Sequence, residues 1–206
     1  RHLFRIERGK TAADEGQVQR LTWNNRGFLD KIQRKNFQGN LDDFEIYAYD
    51  SAGNRRRVID AEDRVKTFHY DRLDRLVRVR DYAALWTGSL PAIRSNIVFA
   101  YDAVGNRTRV TQDEGAGGLN QITDFVYDDL DRLLKVTQPG AIETEFQYDA
   151  AGNVTKVIDP NENETIYDYD DVSRLAAVVQ DLGQTVSYGY DGRGRLETVT
   201  NARGHV

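Results

Sequence analysis

The sequence contains no cysteine and no methionine, and it has only three histidines, His2, His69 and His205. Without cysteine, the chain can form neither disulfide bonds nor thiolate metal sites. Because the chain begins at Arg1 and lacks methionine altogether, we expect it to be an internal segment of a longer polypeptide.

Targeting and membrane signals are also missing. No positively charged leader with an apolar core is present, and no apolar run approaches the roughly 20 residues that a membrane helix needs. The net charge is −5 and charged residues make up 30% of the chain. We therefore expect no membrane segment and no nucleic-acid partner.

Motifs for catalysis and for metal or cofactor binding are not found either. The sequence has no His-Glu-x-x-His motif, no phosphate-binding loop and no nucleophile elbow. Asp159 to Asn163 is similar to the front of a calcium loop, but that motif needs Gly at Glu164 and Glu at Asp170. The sequence thus predicts no catalytic residue, no cofactor and no metal site, and so no enzyme.

The chain does contain one sequence motif that is repeated along most of its length. A Tyr-Asp pair recurs with separations of 21, 31, 26, 21, 21 and 21 residues. A degenerate copy precedes them at Trp23-Asn24. A fixed period of this size indicates a repeat architecture. The pairs are Tyr49-Asp50, Tyr70-Asp71, Tyr101-Asp102, Tyr127-Asp128, Tyr148-Asp149, Tyr169-Asp170 and Tyr190-Asp191.

Each copy is typical of a β-hairpin. A second aromatic residue stands two positions before each Tyr, and this spacing puts both rings on one face of a strand. Asp-x-x-Gly suits a type I turn followed by a left-handed residue, which closes a three-residue hairpin loop. We expect positive φ at Gly53, Gly105, Gly152 and Gly194, and at Asp74 and Asp131 in copies without glycine; Ser173 fits this position less well.

The turn also predicts a strand register. Tyr148 should face Val154, with Phe146 opposite Lys156. The equivalent basic residues Arg57, Arg78, Arg109 and Lys135 should likewise cover the preceding ring. A valine three positions after the Leu leaves two alternatives open. Either both sheet faces are partly apolar, or a bulge separates the Leu and Val positions.

The repeat predicts one array over residues 1–206, with degenerate repeats in 1–46 and clear repeats in 47–206. Insertions are expected near residues 81–96 and 112–121. The run from Asp81 to Trp86 could form a short helix, and residues 112–121 a glycine-rich loop. The fold class is therefore all-β: an antiparallel meander of tandem β-hairpins forming a curved open sheet.

The recurring Tyr-Asp-x-x-Gly-Asn/Arg-Leu-x-x-Val pattern resembles the YD repeats of the Rhs family over roughly residues 20–206. Asp159 to Thr165 is similar to that family's Asp-Pro-x-Gly-Asn-x-Thr linker, with Glu162 in place of Gly. The family includes bacterial polymorphic toxins, the B and C components of Tc toxins, and teneurins. The family's self-cleaving motif is not matched here.

The resemblance implies a structural segment of a spiralling β-shell that encloses a C-terminal toxin or effector domain of a larger secreted or cell-surface protein. The expected partners are the rest of the parent polypeptide and the enclosed domain, with self-association through sheet edges. The alternative is a surface module whose aromatic face binds carbohydrate or protein. Exposure of the rings distinguishes the two, because packed rings would contact neighbouring repeats.

Overall fold

The computed structural model describes residues 3–6, 19–35, 40–85, 89–90, 92–113, 120–180, 183–201 and 203. It divides into two compact units. Unit 1 comprises residues 1–100 and 110–120, and unit 2 comprises residues 101–109 and 121–206. Each unit is described by itself below.

The described residues of both units form β-strands joined by turns and contain no α-helix. The strands are β1 Leu3–Ile6, β2 Gln19–Trp23, β3 Leu29–Lys35, β4 Leu41–Tyr49, β5 Arg55–Asp60, β6 Arg64–Tyr70, β7 Leu76–Leu85, β8 Ile93–Tyr101, β9 Arg107–Asp113, β10 Gln121–Tyr127, β11 Leu133–Gln138, β12 Ile142–Tyr148, β13 Val154–Ile158, β14 Glu164–Tyr169, β15 Leu175–Gln180, β16 Gln184–Tyr190 and β17 Leu196–Thr200.

Consecutive strands pair antiparallel in both units, from β1 to β8 in unit 1 and from β10 to β17 in unit 2. Antiparallel neighbours can be joined by short turns, which is why tandem hairpins produce this order. The expectation of an all-β antiparallel meander of tandem hairpins is confirmed.

The hairpin register contains a bulge that corrects part of the sequence prediction. Tyr148 faces Val154 as expected, but Phe146 faces Val157 and Lys156 faces Gln147. The register shifts between Gln147 and Tyr148, so one extra residue is accommodated on β13. The same shift puts an aromatic residue opposite a valine in the hairpins with pairs Tyr47–Val58, Phe68–Val79, Phe125–Val136, Tyr167–Val178 and Tyr188–Val199.

The bulge decides between the two alternatives left open for the valines. Because of the extra residue, the valine side chain lies on the same sheet face as the Tyr. This face therefore carries the Tyr, the aromatic residue two positions before it, the residue opposite the Tyr and the valine. We call this the ring face. The prediction that Arg57, Arg78, Lys135 and Lys156 cover the rings is wrong, because these residues lie opposite Ala48, His69, Val126 and Gln147 on the other face.

The buried side chains of the described residues lie on the face opposite the rings in unit 1. Val65 is 0% exposed and packs in one cluster with Ile59 and Tyr82, which are each 4% exposed; Ile46 lies against them. Ile46 and Ile59 face each other across β4 and β5, and Ile59 faces Val65 across β5 and β6. A buried polar residue, Thr67, continues this row.

The structure describes the two expected insertions only in part. The short helix considered at Asp81–Trp86 is wrong for the described residues, because β7 continues as a strand to Leu85. Asp81 and Tyr82 pair with Ser95 and Ile93 of β8, and this pairing stabilises the extended backbone. Most of the loop expected at 112–121 lies outside the described residues.

Candidate functional site: the Tyr-Asp turns

The Tyr-Asp pairs stand where strands end and turns begin. In the described residues, β4, β6, β8, β10, β12, β14 and β16 each end at the Tyr of a pair, and the Asp follows immediately. The chain then reverses in a left-handed residue: φ is +102° at Gly53, +114° at Gly105, +93° at Gly152 and +78° at Gly194. Asp74, Asp131 and Ser173 take φ of +58°, +61° and +60° in the other copies. The predicted turn conformation is confirmed.

One backbone pattern closes these turns. In the turn after β12, the Asp149 N–H donates to the Asn153 carbonyl at 3.0 Å, and the Gly152 N–H donates to the Asp149 carbonyl at 3.2 Å. The turn at Asp159 has the same two bonds, with Glu162 at φ +66° in the glycine position. The linker between repeats is thus built like the Tyr-Asp turn itself.

The aspartate side chain binds its own turn on two sides. In Asp128, Oδ1 accepts from the backbone N–H groups of Leu130 and Arg132, at 2.9 Å each. Its Oδ2 accepts from Arg132 Nε at 2.7 Å. Asp149 shows the variant with asparagine: its Oδ1 accepts from the Asn153 N–H and its Oδ2 from Asn153 Nδ2, at 2.8 Å each. The residue four positions after the Asp therefore completes the cap.

These hydrogen bonds hold the aspartates in the ionised form. The Arg75 side chain lowers the pKa of Asp71, and the backbone N–H of Arg132 lowers the pKa of Asp128. For Asp149, the Asn153 side chain is the largest cause of a lowered pKa. Each carboxylate accepts several donors, which favours its charged form. The aspartates therefore act as turn caps.

In several hairpins the tyrosine hydroxyl binds the hairpin before it. Tyr148 Oη donates to the Leu133 carbonyl at 2.8 Å, and Tyr190 Oη donates to the Leu175 carbonyl at 2.9 Å. Each acceptor is the residue that faces the Tyr of the preceding hairpin. The same link joins Tyr49 to Leu29, Tyr70 to Arg55 and Tyr127 to Arg107.

Side chains also join one turn to the next. Arg132 Nη1 donates to the Asp149 carbonyl at 2.9 Å, and Asn54 Nδ2 donates to Asp74 Oδ1 at 2.6 Å. In unit 2, Asn106 Nδ2 makes the equivalent bond to Asp131 Oδ1 at 2.7 Å. The residue at the fourth position after the Asp thus serves its own turn and its neighbour.

The turn arginines also cover rings of the following hairpin. The Arg132 guanidinium lies 4.7 Å from the centroid of the Tyr148 ring, and that of Arg174 lies 4.5 Å from the Tyr190 ring. In unit 1, Phe28 stacks on Tyr49 with centroids 5.0 Å apart. These rings are half-buried, because neighbouring hairpins cover one side of each.

The sequence located the Tyr, Asp and Gly positions of these turns but did not reveal two of their functions. The second role of the Arg or Asn four residues after the Asp was missed, although its recurrence in the repeat pattern was a signal. The hydroxyl link was also missed, because its acceptor is a backbone carbonyl and carries no sequence mark. A Phe at the Tyr position would keep the aromatic spacing of the repeat but could not donate this hydrogen bond.

No cluster of three or more His, Asp or Glu side chains with metal-binding geometry occurs in the part of the chain that the structure describes. Asp159 uses its Oδ1 and Oδ2 on the Asn161 and Asn163 groups of its own turn. Within the same described ranges, no helix has the length and apolar character needed to cross a membrane.

The RHS Repeat family model matches residues 49–84, 127–164 and 169–206, which together make up more than half of the chain. The chain belongs to the RHS-repeat family. Each match begins at the tyrosine of a Tyr-Asp pair, where the first strand of a hairpin ends and its turn begins. No curated protein matches this chain.

One solved structure has a similar fold. A chain of the Photorhabdus luminescens Tc holotoxin pore is similar with a TM-score of 0.59 and 16% identity; the match covers 91% of this chain and 12% of that chain. The crystal structure of TcdB2-TccC3-TEV matches at 13% identity over 97% of this chain and 15% of that one. Its TM-score of 0.35 adds nothing to the fold assignment. This RHS-repeat chain has a structural role as an array of linked hairpins.

Proposed function

We propose that this chain is part of the wall of an Rhs-type β-shell that encloses a C-terminal toxin or effector domain of a larger secreted or cell-surface protein. The observation that supports this proposal is the series of hydrogen bonds between successive hairpins. Tyrosine hydroxyls bind the preceding hairpin, and turn arginines and turn asparagines bind the following one, within each unit. Such linkage supports a role as a continuous wall.

The remainder of the parent polypeptide and the enclosed domain are the proposed partners. This chain corresponds to 12% of the Tc holotoxin chain that it resembles, which supports a role as one section of a much longer array. Hairpins in a repeat array share their packing with their neighbours, so a wall can be extended by adding units.

A carbohydrate-binding face has less support. Rings that stack on sugars need an open face, whereas the Tyr148 and Tyr190 rings carry an arginine over one face and bind the neighbouring hairpin through their hydroxyls. Packing between repeats accounts for these contacts. We therefore assign the ring face to the cohesion of the sheet.

The experiment is limited proteolysis of the parent polypeptide with its C-terminal domain. We expect that domain to resist protease until denaturant opens the sheet, whereas the same domain produced alone is cut quickly. Equal cleavage rates for the enclosed and the isolated domain would contradict the proposal.

A matched pair of variants in one turn tests whether this chain supplies part of the barrier. Asp128→Ala removes the cap on Leu130 and Arg132 and should accelerate cleavage of the C-terminal domain. Asp129→Ala changes the neighbouring exposed carboxylate in the same turn and should leave the cleavage rate unchanged. The charge removed is the same in both variants, so the comparison isolates the turn.

A further inference from the structure

A cleft of about 610 Å³ lies over strands β5 to β7 of unit 1, chiefly on the face opposite the rings. Its lining includes Arg57, Thr67 and Arg80, which face one another in a row across the three strands. His69 follows Thr67 by two residues on β6 and lies on the same face, opposite Arg78. The buried hydroxyls of Thr67 and Tyr82, 3.3 Å apart, form a polar part of the cleft lining.

The charge of this cleft is strongly positive. Arg56, Arg57, Arg80 and His69 line it. Asp50 is also part of the lining, but its Oδ1 accepts from the backbone N–H groups of Gly53 and Asn54 in its own turn, at 2.9 Å each. Loss of hydration, followed by the charges of Arg80, Arg78 and Arg56, lowers the pKa of His69.

The same position of the repeat is neutralised in other hairpins. Lys135 binds Glu143 and Glu145, Lys156 binds Glu164, and Arg109 binds Asp124, in each case a carboxylate of the following strand. One of the equivalent residues in unit 1 is Arg78, and the following strand places Val98 opposite it. Arg80 stands opposite Asn96, a neutral amide. Neither Arg78 nor Arg80 therefore has a carboxylate directly opposite it on β8.

The two arginines keep unsatisfied donors as a result. Within the described residues, the Nε atoms of Arg78 and Arg80 are buried and have no hydrogen-bond acceptor, and the buried Oδ1 of Asn96 has no donor. In contrast, the turn arginines Arg75, Arg132, Arg174 and Arg195 each place Nε on an aspartate at 2.7–2.8 Å. A buried donor without an acceptor is costly, so folded proteins rarely keep one without a reason.

We propose that this cleft binds a small multivalent oxyanion, a polycarboxylate or a phosphate ester, whose oxygens accept from the guanidinium group of Arg80 in its lining. Arg78 lies opposite the lining residue His69, outside the lining itself, and adds positive charge beside the site. The planar guanidinium donates two parallel hydrogen bonds to carboxylate and to phosphate alike. The cleft volume lies within the range of about 300–1,000 Å³ typical of small-molecule sites. His69 and the hydroxyl groups of Thr67 and Tyr82 provide further polar contacts around the bound oxygens.

The experiment titrates the 206-residue chain with citrate and, separately, with pyrophosphate, by calorimetry and by NMR of the histidine ring protons in a buffer without other oxyanions. His69→Gln assigns the His69 signal. We expect binding heat and a shift of the His69 signal with at least one probe, and both should weaken as salt is added. Citrate alone would identify a carboxylate site, and pyrophosphate alone a phosphate site.

Matched variants locate the binding. Arg80→Gln should weaken binding by about tenfold or more, because a charge-assisted hydrogen bond is lost. Arg78→Gln removes a neighbouring charge outside the lining and should weaken binding less. Arg80→Lys, which keeps the charge without Nε and the planar fork, should be intermediate. Arg72→Gln removes the same charge from the exposed turn between β6 and β7 and should bind like the unmodified chain.

Three results would overturn the proposal: no heat and no His69 shift with either probe at millimolar concentration, equal weakening by Arg72→Gln and Arg80→Gln, or unchanged binding in Arg80→Gln. Circular dichroism of each variant shows whether its sheet is intact. If a cleft variant does not fold, the His69 shift of the unmodified chain, compared with that of Arg72→Gln, still decides the outcome.

Discussion

At the scale of single residues, the Tyr of a pair such as Tyr148 or Tyr190 has two separable roles. Its ring packs on one face of the sheet, and its hydroxyl binds a carbonyl of the preceding hairpin. Tyr190 and Tyr188 on β16 permit these roles to be distinguished. Both rings are half-buried. Of these two described tyrosines, Tyr190 makes the hydroxyl link to the preceding hairpin and Tyr188 does not.

We expect Tyr190→Phe to lower the free energy of unfolding by about 0.5–1.5 kcal/mol, the usual net value of one hydrogen bond. Tyr188→Phe removes a hydroxyl from the same strand and should change the free energy by less than about 0.5 kcal/mol. Urea denaturation followed by fluorescence measures both. Equal losses in the two variants would show that the link does not contribute.

The capped aspartates predict a loss of stability in acid. Their pKa values are lower in the folded chain than in the unfolded chain, as for Asp71, Asp128 and Asp149. Their contribution is therefore complete above the unfolded value of about 3.9 and is lost as the pH falls below it toward the folded values. Thermal melts between neutral pH and pH values near 3 should show a falling midpoint.

Asp149→Asn is the control for that pH effect. Asn24 caps the turn after β2 with its Oδ1, accepting from the Arg26 and Phe28 N–H groups, so asparagine can replace aspartate in this geometry. The variant should keep the turn but lose less stability on acidification than the unmodified chain. The same acid dependence in both would contradict the assignment of Asp149 as an acid-sensitive cap.

At the scale of the hairpin, the period and the turn chemistry were sufficient to predict the strand, the turn and the left-handed residue. The residue spacing alone did not identify the bulge, because one extra residue on β13 changes the partner of Phe146 while leaving the 21-residue period intact. Burial at Val65 and Tyr82 was not predicted, because it lies on the face opposite the recurring rings. The short helix at Asp81 was wrong because pairing with β8 outweighs local preference.

The turn conformation predicts a difference between two glycines. Gly152 has φ +93°, and no atom lies within 4 Å of the place that an added methyl group would take, so Gly152→Ala should cost about 1–2 kcal/mol through backbone strain alone. Gly192 also has open space around it but no left-handed φ, so Gly192→Ala should be close to neutral. Glu162→Gly is the reciprocal change and should raise stability by about 1 kcal/mol, since Glu162 has φ +66°. Urea midpoints that do not rank the three variants in this order would contradict it.

The cluster around Val65 predicts where truncation is most costly. Val65→Ala removes two methyl groups from a 0% exposed site and should cost about 2 kcal/mol or more, including the cavity that remains. Val126 on β10 is 49% exposed, and Val126→Ala should cost less than about 1 kcal/mol. Chemical denaturation of both variants tests this, and a larger loss for Val126→Ala would place the main core elsewhere.

At the scale of the whole molecule, we expect the 206-residue chain to self-associate through sheet edges. On β17, Leu196 is 55% exposed and Val199 is 41% exposed, so the last described strand keeps apolar side chains in water. Sedimentation velocity over a range of protein concentrations measures the association. Val199→Lys should reduce it, whereas Val104→Lys, at a 73% exposed turn position, should not. A monomer at all concentrations would contradict the expectation.

The tyrosine links all run toward the N-terminus, and this direction matters during translation. Leu133 leaves the ribosome 15 residues ahead of Tyr148, so the carbonyl that Tyr148 binds is already displayed when its own hairpin emerges. Each new hairpin can therefore dock on a finished surface, and the sheet can grow at the pace of synthesis. Pairing between distant segments ordinarily makes β proteins slow to fold and exposes them to aggregation. An array with short-range links avoids that cost, so duplication of one 21-residue unit lengthens the protein without a new folding problem.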